Sequence, residues 1–275
     1  MRRIPRVTLS AVAGFLAVSG FTACGDDSSP SSSNVSAATL VAAAPQKTAD
    51  AGTARMAIKV VTAAAGQSYE MTGEGLFDFQ RTRGRLSFEI PQLGAGSADE
   101  LLVGDQLYMQ IPGVSPPGKW LGVDLSELSG NSALGQFGNA DPSAGLQVLR
   151  GVSSDVHESG EATLRGEPTT KYSGTIETAK VLENVPKGVR AKVETLLAGV
   201  PHFPFDAYLD DEGRLRQLDQ TITLPASAQT QGQQVDIRSI FELYDFGVAV
   251  NVKAPPASEV ADGSRLIDRL GSGAR

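Results

Sequence analysis

Residues 69–79 read Tyr-Glu-Met-Thr-Gly-Glu-Gly-Leu-Phe-Asp-Phe and indicate the fold class. Apolar or small residues occupy the odd positions, from Tyr69 to Phe79, while Glu70, Glu74 and Asp78 occupy even ones. A period of two places alternate side chains on opposite faces of an extended chain. The stretch therefore predicts an antiparallel strand with one dry face and one wet face.

The same alternation recurs along the chain. Leu101–Val103 and Leu107–Met109 flank Gly104-Asp105, which is a two-residue hairpin turn. A meander of antiparallel strands follows from these repeats, in a mature chain whose length suits one all-β domain. The predicted strands cover residues 56–60, 69–79, 86–90, 101–103, 107–109, 119–123, 157–165, 169–176, 203–209, 215–224, 235–246 and 248–252.

Three segments predict helices. Ser36 can cap a helix that continues to about Ala51, in which Pro45 either introduces a kink or begins a second, shorter helix. Asp141-Pro142 is a good helix start, with Leu146 and Leu149 on one face. A further helical insert spans Ala179–Ala198 and is broken at Pro186. A sheet with one dry face needs a cover, and these helices can supply it.

The N-terminal segment has the pattern of an export signal. Arg2, Arg3 and Arg6 precede a run from residue 7 to residue 23 that carries no charge. Cys24 follows this run and is the only cysteine in the chain, so it cannot form an internal disulfide. Either it pairs with another chain, or it is modified at the cleavage site.

Phe21-Thr22-Ala23-Cys24 resembles a bacterial lipobox, with Phe21 in the place of the usual leucine. The resemblance implies that Cys24 becomes a diacylglycerol thioether with acyl chains such as palmitate, and two acyl chains give stable anchoring. The alternative is an ordinary secretory signal that leaves a free cysteine. We expect a signal peptide at 1–23, a flexible tether at 24–34, a folded domain at 35–256 and a disordered tail at 257–275.

The charge balance restricts the possible partners. The complete chain has a net charge of −7, and removal of residues 1–23 removes three arginines and no acid, which leaves −10. An acidic surface argues against nucleic acid and against charge-driven adhesion to anionic lipid. We therefore expect contact with the cell membrane, on its extracytoplasmic face, to come from the lipid anchor.

Two segments resemble the LppX/LprG-type lipoproteins of actinobacteria. Asp141–Leu146, continuing through Leu149 and Gly151, is similar to a helix of that family, and Gly166–Ile176 is similar to its Gly-x-x-Thr-Thr-Lys-x-x-Gly-Thr-Ile strand. The Asp206–Asp219 hairpin is similar as well. This chain departs from the family in a longer loop at Gly113–Gly118, a longer insert at 179–200 and an additional C-terminal tail.

The resemblance implies a LolA/LolB-like fold, which is mainly β (α+β): an unclosed antiparallel half-barrel with helices on its concave face around a hydrophobic cavity. It also implies binding and transfer of a lipid or glycolipid, with a membrane transporter as a possible partner. The helical inserts at Asp141–Gly151 and Ala179–Ala198 would act as a lid. The cavity candidates are Met71, Phe77, Phe79, Leu86, Phe88, Leu107, Met109, Trp120, Phe137, Leu146 and Leu149.

Enzymatic signals are weak. His157 and His202 each lack a second ligand at zinc spacing, no Gly-x-Ser-x-Gly motif occurs, and no cofactor or metal is expected. The acidic run at residues 210–213 is typical of a hairpin turn, with weak calcium binding as the alternative. Two rival functions remain open: an interaction or sensory module with a filled core, and a hydrolase that uses carboxylates such as Glu70 and Glu74.

Overall fold

The alternating segments form one sheet in a computed structural model, which describes residues 35–89, 97–125, 145–185, 187–228 and 230–263. In these residues the helices are α1 (Ala37–Asp50), α2 (Thr178–Asn184) and α3 (Lys187–Leu196), with short 3-10 helices η1 (Gln147–Gly151) and η2 (Ala257–Glu259). The strands are β1 (Thr53–Ala64), β2 (Gln67–Asp78), β3 (Arg83–Glu89), β4 (Ser97–Val103), β5 (Gln106–Gln110), β6 (Trp120–Asp124), β7 (His157–Leu164), β8 (Glu167–Glu177), β9 (His202–Leu209), β10 (Leu215–Leu224), β11 (Val235–Tyr244) and β12 (Val260–Asp262).

The sheet is open, with the strand order β12-β6-β5-β4-β3-β2-β1-β11-β10-β9-β8-β7. Its neighbouring strands are antiparallel except β12, which lies parallel to β6. Val103 pairs with Gln106, so Gly104 and Asp105 form the predicted two-residue turn. The mainly β, unclosed antiparallel fold predicted from the sequence is confirmed, with one parallel pair added at the edge.

Strand register separates the sheet into an inner and an outer face. Met56 lies opposite Leu243 on β11 and Gly75 on β2, and both Met56 and Leu243 are buried. Their side chains belong to the core cluster, which defines the inner face. Arg55 and Glu74 alternate with these residues and point to the outer face.

Helix α1 covers part of the inner face. The Ser36 hydroxyl accepts a hydrogen bond from the Thr39 N–H at 3.2 Å, as expected for an N-cap. Pro45 lies inside the helix and is buried there, so the helix continues unbroken to Asp50. Near its end, the buried Thr48 hydroxyl accepts a hydrogen bond from the Leu215 N–H at 2.9 Å, which fixes α1 to β10.

Two glycines allow close packing where β2 meets β3. A Cβ at Gly75 would lie 2.1 Å from the carbonyl oxygen of Arg85, and a Cβ at Gly73 would lie 2.6 Å from the ring of Phe88. No side chain fits at either position unless its neighbour moves. Glycines therefore bring the two strands together and let the Phe88 ring lie over β2.

Some predicted boundaries are wrong. Residues 248–252 form no strand, because the chain turns at Asp245 and Gly247 (φ of 49° and 83°) and both neighbouring positions of β11 are already occupied by β1 and β10. In its described part, the helix predicted from Asp141 to Gly151 ends in the short 3-10 helix η1. Asp141 and Pro142 themselves lie outside the described residues.

The predicted end of the folded domain at Pro256 is also too early. Residues Val260–Asp262 pair with Trp120–Gly122 and extend the sheet by β12. The buried Gly263 follows, and its N–H donates to the Gly122 carbonyl at 2.9 Å. The rest of the predicted tail, the signal peptide, Cys24 and the tether lie outside the described residues.

Candidate functional site

The inner face of the sheet is densely packed over much of its area. Six of the predicted cavity residues lie in this core, each with at most 7% of its surface exposed. These six residues fill the interior with their side chains. They are Phe77, Leu86, Leu107, Met109, Leu146 and Leu149.

Toward the C-terminal end of β1, the inner face is only half covered. Ile58 lies between Phe241 on β11 and Gly73 on β2, and Val60 lies beside Met71. Cross-strand pairing therefore places a set of half-buried apolar side chains on one continuous surface. We call this set the apolar surface; it consists of Ile58, Val60, Met71, Phe88, Ile222, Ile237 and Phe241.

The remaining predicted cavity residues are dispersed. Met71 and Phe88 belong to the apolar surface, and Phe79 is half-buried against Phe77, with ring centroids 5.1 Å apart. Trp120 alternates with the buried Leu121 and so points away from the core. Phe137 lies outside the described residues.

The predicted cavity residues lie between Met71 and Leu149, so they omit the apolar-surface residues on β1, β10 and β11. Ile58, Val60, Ile237 and Phe241 alternate in the same way on β1 and β11, and the pairing of β1 with β11 brings them together. The alternation was visible in the sequence. The pairing of strands that lie about 180 residues apart was not.

A carboxyl group also faces inward. Glu100 lies between Leu86 and Met109 in the sheet register, both of which are buried. This apolar setting disfavours the charged form, and burial raises the pKa of Glu100 to about 7. Near neutral pH the group is therefore divided between a protonated acid, which can donate a hydrogen bond, and a carboxylate.

The outer face has a concavity of its own, with a volume of about 630 Å³. None of the eleven predicted cavity residues lines it. Its charged side chains are Lys59, Glu74, Glu89, Arg165 and Glu242. We call this concavity the outer groove. Apolar residues such as Ala57 and Ile240 line it as well, so the groove offers both charged and apolar contacts to a ligand.

Arg165 at the tip of the β7–β8 hairpin reaches the outer face of β11. Its guanidinium pairs with the Glu242 carboxylate at 2.7 Å and stacks over the Tyr244 ring at 3.8 Å from the centroid. Desolvation lowers the pKa of Arg165, but the hydrogen bond to Glu242 and nearby negative charge together outweigh it, so the pKa is raised. These contacts hold the hairpin tip beside the outer groove.

The polar groups singled out from the sequence have structural roles here. The Asp210 carboxylate contacts Nε of Arg214 at 2.8 Å and Nε of Arg216 at 3.1 Å, so it is engaged within its own hairpin. Glu70 pairs with Lys59 at 2.9 Å on the outer face. The part of the chain that the structure describes contains no group of three or more His, Cys, Asp or Glu side chains placed to hold a metal ion.

Comparison with known proteins adds a partial sequence relative. No protein-family model matches the chain. An uncharacterized 31.2 kDa protein of Streptomyces griseus is 26% identical over 157 residues, which are 54% of this chain and 48% of that protein. The chain thus spans about half the length of this curated relative.

Solved structures that are similar to this chain include lipoproteins of the type that the sequence resembles. LprF from Mycobacterium bovis is 16% identical with a TM-score of 0.47 and covers 80% of this chain and 97% of its own. The lipoprotein LppX from Mycobacterium tuberculosis is 12% identical with a TM-score of 0.47 and covers 78% and 98%. A LolA superfamily protein from Nitrosomonas europaea is 14% identical with a TM-score of 0.32 and covers 77% and 94%.

None of the described helices combines the length and the hydropathy that a membrane span requires.

Proposed function

We propose that this protein binds a long apolar molecule, such as the acyl chains of a lipid or glycolipid, on the apolar surface and carries or transfers it within the cell envelope. The observation that supports the proposal is the apolar surface itself. Seven aliphatic, Met and Phe side chains on adjoining strands stay partly exposed on the inner face, at the margin of the packed core. Contiguous exposed apolar area of this kind marks binding sites.

In the proposed mechanism, acyl chains leave the apolar interior of the membrane and become buried on the apolar surface. Each methylene group that leaves water for an apolar environment contributes about 0.8 kcal/mol. An acyl chain on the apolar surface needs no catalytic group, and it covers side chains such as Ile58 and Phe241 at the same time. Glu100 faces the same side of the sheet, and its protonated form offers a hydrogen bond to a polar part of the ligand.

We assign the lid to the helical inserts. Helix α2 packs directly on η1, where a Cβ at Gly151 would lie 2.7 Å from Val181. The Lys180 ammonium donates to the Val152 carbonyl at 3.2 Å, so the two inserts are tied together beside the inner face. They would move as one unit when the ligand enters.

Lipidation of Cys24 belongs to the same proposal, because it would keep the domain at the membrane from which the lipid comes. The ten residues between Cys24 and Val35 reach at most about 35 Å. A protein anchored in this way stays beside its lipid source and passes its ligand to a nearby acceptor, which we expect to be a membrane protein.

The test is native mass spectrometry of protein purified from an actinobacterial host, with extraction of any bound lipid. Ile237→Asn places an amide on the apolar surface and should lower lipid occupancy at least about tenfold, since burying an amide costs more than 1 kcal/mol. Ile240→Asn is the matched control, because Ile240 lies on the same strand and faces the outer groove. Lipid-free protein that takes up no added lipid would contradict the proposal.

The outer groove favours a second candidate, an interaction module with a filled core. The outer groove has a volume of about 630 Å³. On the inner face, by contrast, six of the predicted cavity residues are packed in the core. In that case a polar partner binds beside Arg165 and Glu242. Arg165→Gln would then abolish partner capture in crosslinking and leave lipid content unchanged, whereas a lipid carrier responds to Ile237→Asn.

A further inference from the structure

Exposed large apolar side chains concentrate at one end of the sheet. In the described residues four such side chains have about half of their surface exposed: Val35 (55%), Tyr69 (45%), Val114 (44%) and Leu196 (51%). Val35 directly follows the predicted tether. The other three come from separate parts of the chain, namely the start of β2, the β5–β6 loop and the last residue of α3.

Strand pairing places these three at the same end. Ala64 pairs with Gln67 and with Val235, and Val235 pairs with Leu224. The turn between β1 and β2 therefore lies beside the β10–β11 loop. The β5–β6 loop and the α3–β9 loop emerge at this end too, because adjacent strands alternate in direction. We call four loops at this end the apolar rim; they are residues 65–66, 111–119, 197–201 and 225–228 with 230–234.

Charge is sparse in the four rim loops, whereas helices α2 and α3 and residues 253–259, which lie at the same end, carry charges of both signs. Lys119 is the single charged residue in the sequence of the four rim loops, although the chain carries 24 basic and 31 acidic residues. The Lys119 ammonium is engaged by the Ser258 carbonyl. The turns at the opposite end, residues 79–82, 104–105, 165–166 and 210–214, contain seven charged residues among thirteen. The rim is thus both exposed and almost uncharged.

We propose that the apolar rim docks onto the surface of a lipid bilayer, with Tyr69, Val114 and Leu196 inserted at the level of the headgroups. Aromatic and aliphatic side chains on loops with almost no charge suit this interfacial zone. An acidic partner surface would require basic loops, and the rim has a single lysine. The inference rests on the proposed function, because lipidation of Cys24 is what holds the domain within reach of a bilayer.

The rim also gives the bilayer a direct route to the apolar surface. Tyr69 and Met71 alternate on the same side of β2, and Met71 belongs to the apolar surface. A ligand that leaves the bilayer at the rim moves along this strand without crossing water. Docking by the rim therefore shortens the exposed part of the transfer path.

The chain contains its own reporter of docking. Trp120 is the only tryptophan, it directly follows the rim loop 111–119, and it is half-buried. The experiment measures Trp120 fluorescence of the lipidated protein in vesicles of phosphatidylcholine brominated on the acyl chains. We expect strong quenching, and the combined variant Tyr69→Ser, Val114→Ser, Leu196→Ser should lose about half of it or more, because it removes the inserted apolar area.

Asp105→Ser, at the charged end, is the matched control and should be quenched like the wild-type protein. Quenching should change little between low and high salt, because the three inserted side chains are uncharged and their insertion is insensitive to screening. Absent quenching, or equal quenching in the triple variant, would overturn the inference. Extracted lipid is measured on the same samples. The triple variant should retain its bound lipid, and a wild-type protein that holds no lipid and yet is quenched would refute the carrier function alone.

Discussion

The substitution Glu100→Gln measures the free-energy cost of ionising the Glu100 carboxyl group on the inner face. Burial raises the pKa of Glu100 from 4.5 to about 7, so the folded protein binds this proton more tightly than the unfolded chain does. Between pH 4.5 and pH 7 the folded state holds more protons, and stability therefore falls as the pH rises. At 1.36 kcal/mol for each tenfold change in proton affinity, the loss amounts to about 3 kcal/mol and is complete above pH 7.

The assay is urea unfolding of the wild-type protein and of Glu100→Gln at pH 4.5 and at pH 8. The neutral amide lacks this titration, so the stability of Glu100→Gln relative to wild type should rise by about 3 kcal/mol between the two pH values. Glu89→Gln is the control, because Glu89 is exposed on the outer face. If the free energies of unfolding of wild type and Glu100→Gln differ by the same amount at both pH values, Glu100 is not a buried carboxyl group with a raised pKa.

Three further predictions concern packing and the hairpin tip. Gly73→Ala should lower the free energy of unfolding by about 1–3 kcal/mol, because the new Cβ meets the Phe88 ring, and Phe88→Leu in the same chain should restore much of it in denaturant titrations. Thr48→Val should cost about 1–3 kcal/mol, because it leaves the buried Leu215 N–H without an acceptor, whereas Thr48→Ser should keep the hydrogen bond and cost less; equal losses would contradict this role. Arg165→Lys should speed amide hydrogen exchange in the β7–β8 turn with a loss of stability below about 1 kcal/mol, because lysine lacks the planar fork; unchanged exchange would show that the stacking is dispensable.

Local periodicity in the sequence predicts most of the strands and the turns between them. The alternation in residues 69–79 corresponds to β2, and the Gly104-Asp105 turn joins β4 and β5 as predicted. The Ser36 cap and the end of α1 near Ala51 also follow from local chemistry. Each of these features depends on residues that are neighbours in the sequence.

Features that depend on distant pairing could not be predicted. Residues 248–252 alternate like a strand, but β11 has no free side for them to join. Val260–Asp262 has no strand signal of its own and becomes β12 because the edge of β6 is available. For the same reason the sequence identified apolar residues correctly but could not separate the packed ones, such as Leu149, from the partly exposed ones, such as Met71.

The two margins of the open sheet have a consequence for self-association. On one side β12 occupies the free hydrogen-bonding edge of β6, and Gly122 makes room for Val260, whose Cγ1 would lie 2.6 Å from a Cβ at that position. On the other side β7 carries a bulge between Glu158 and Gly160, which interrupts its edge. Exposed edges template the addition of foreign strands and begin fibrillar aggregation. With one margin capped and the other kinked, a sheet of this width resists recruiting further copies of itself.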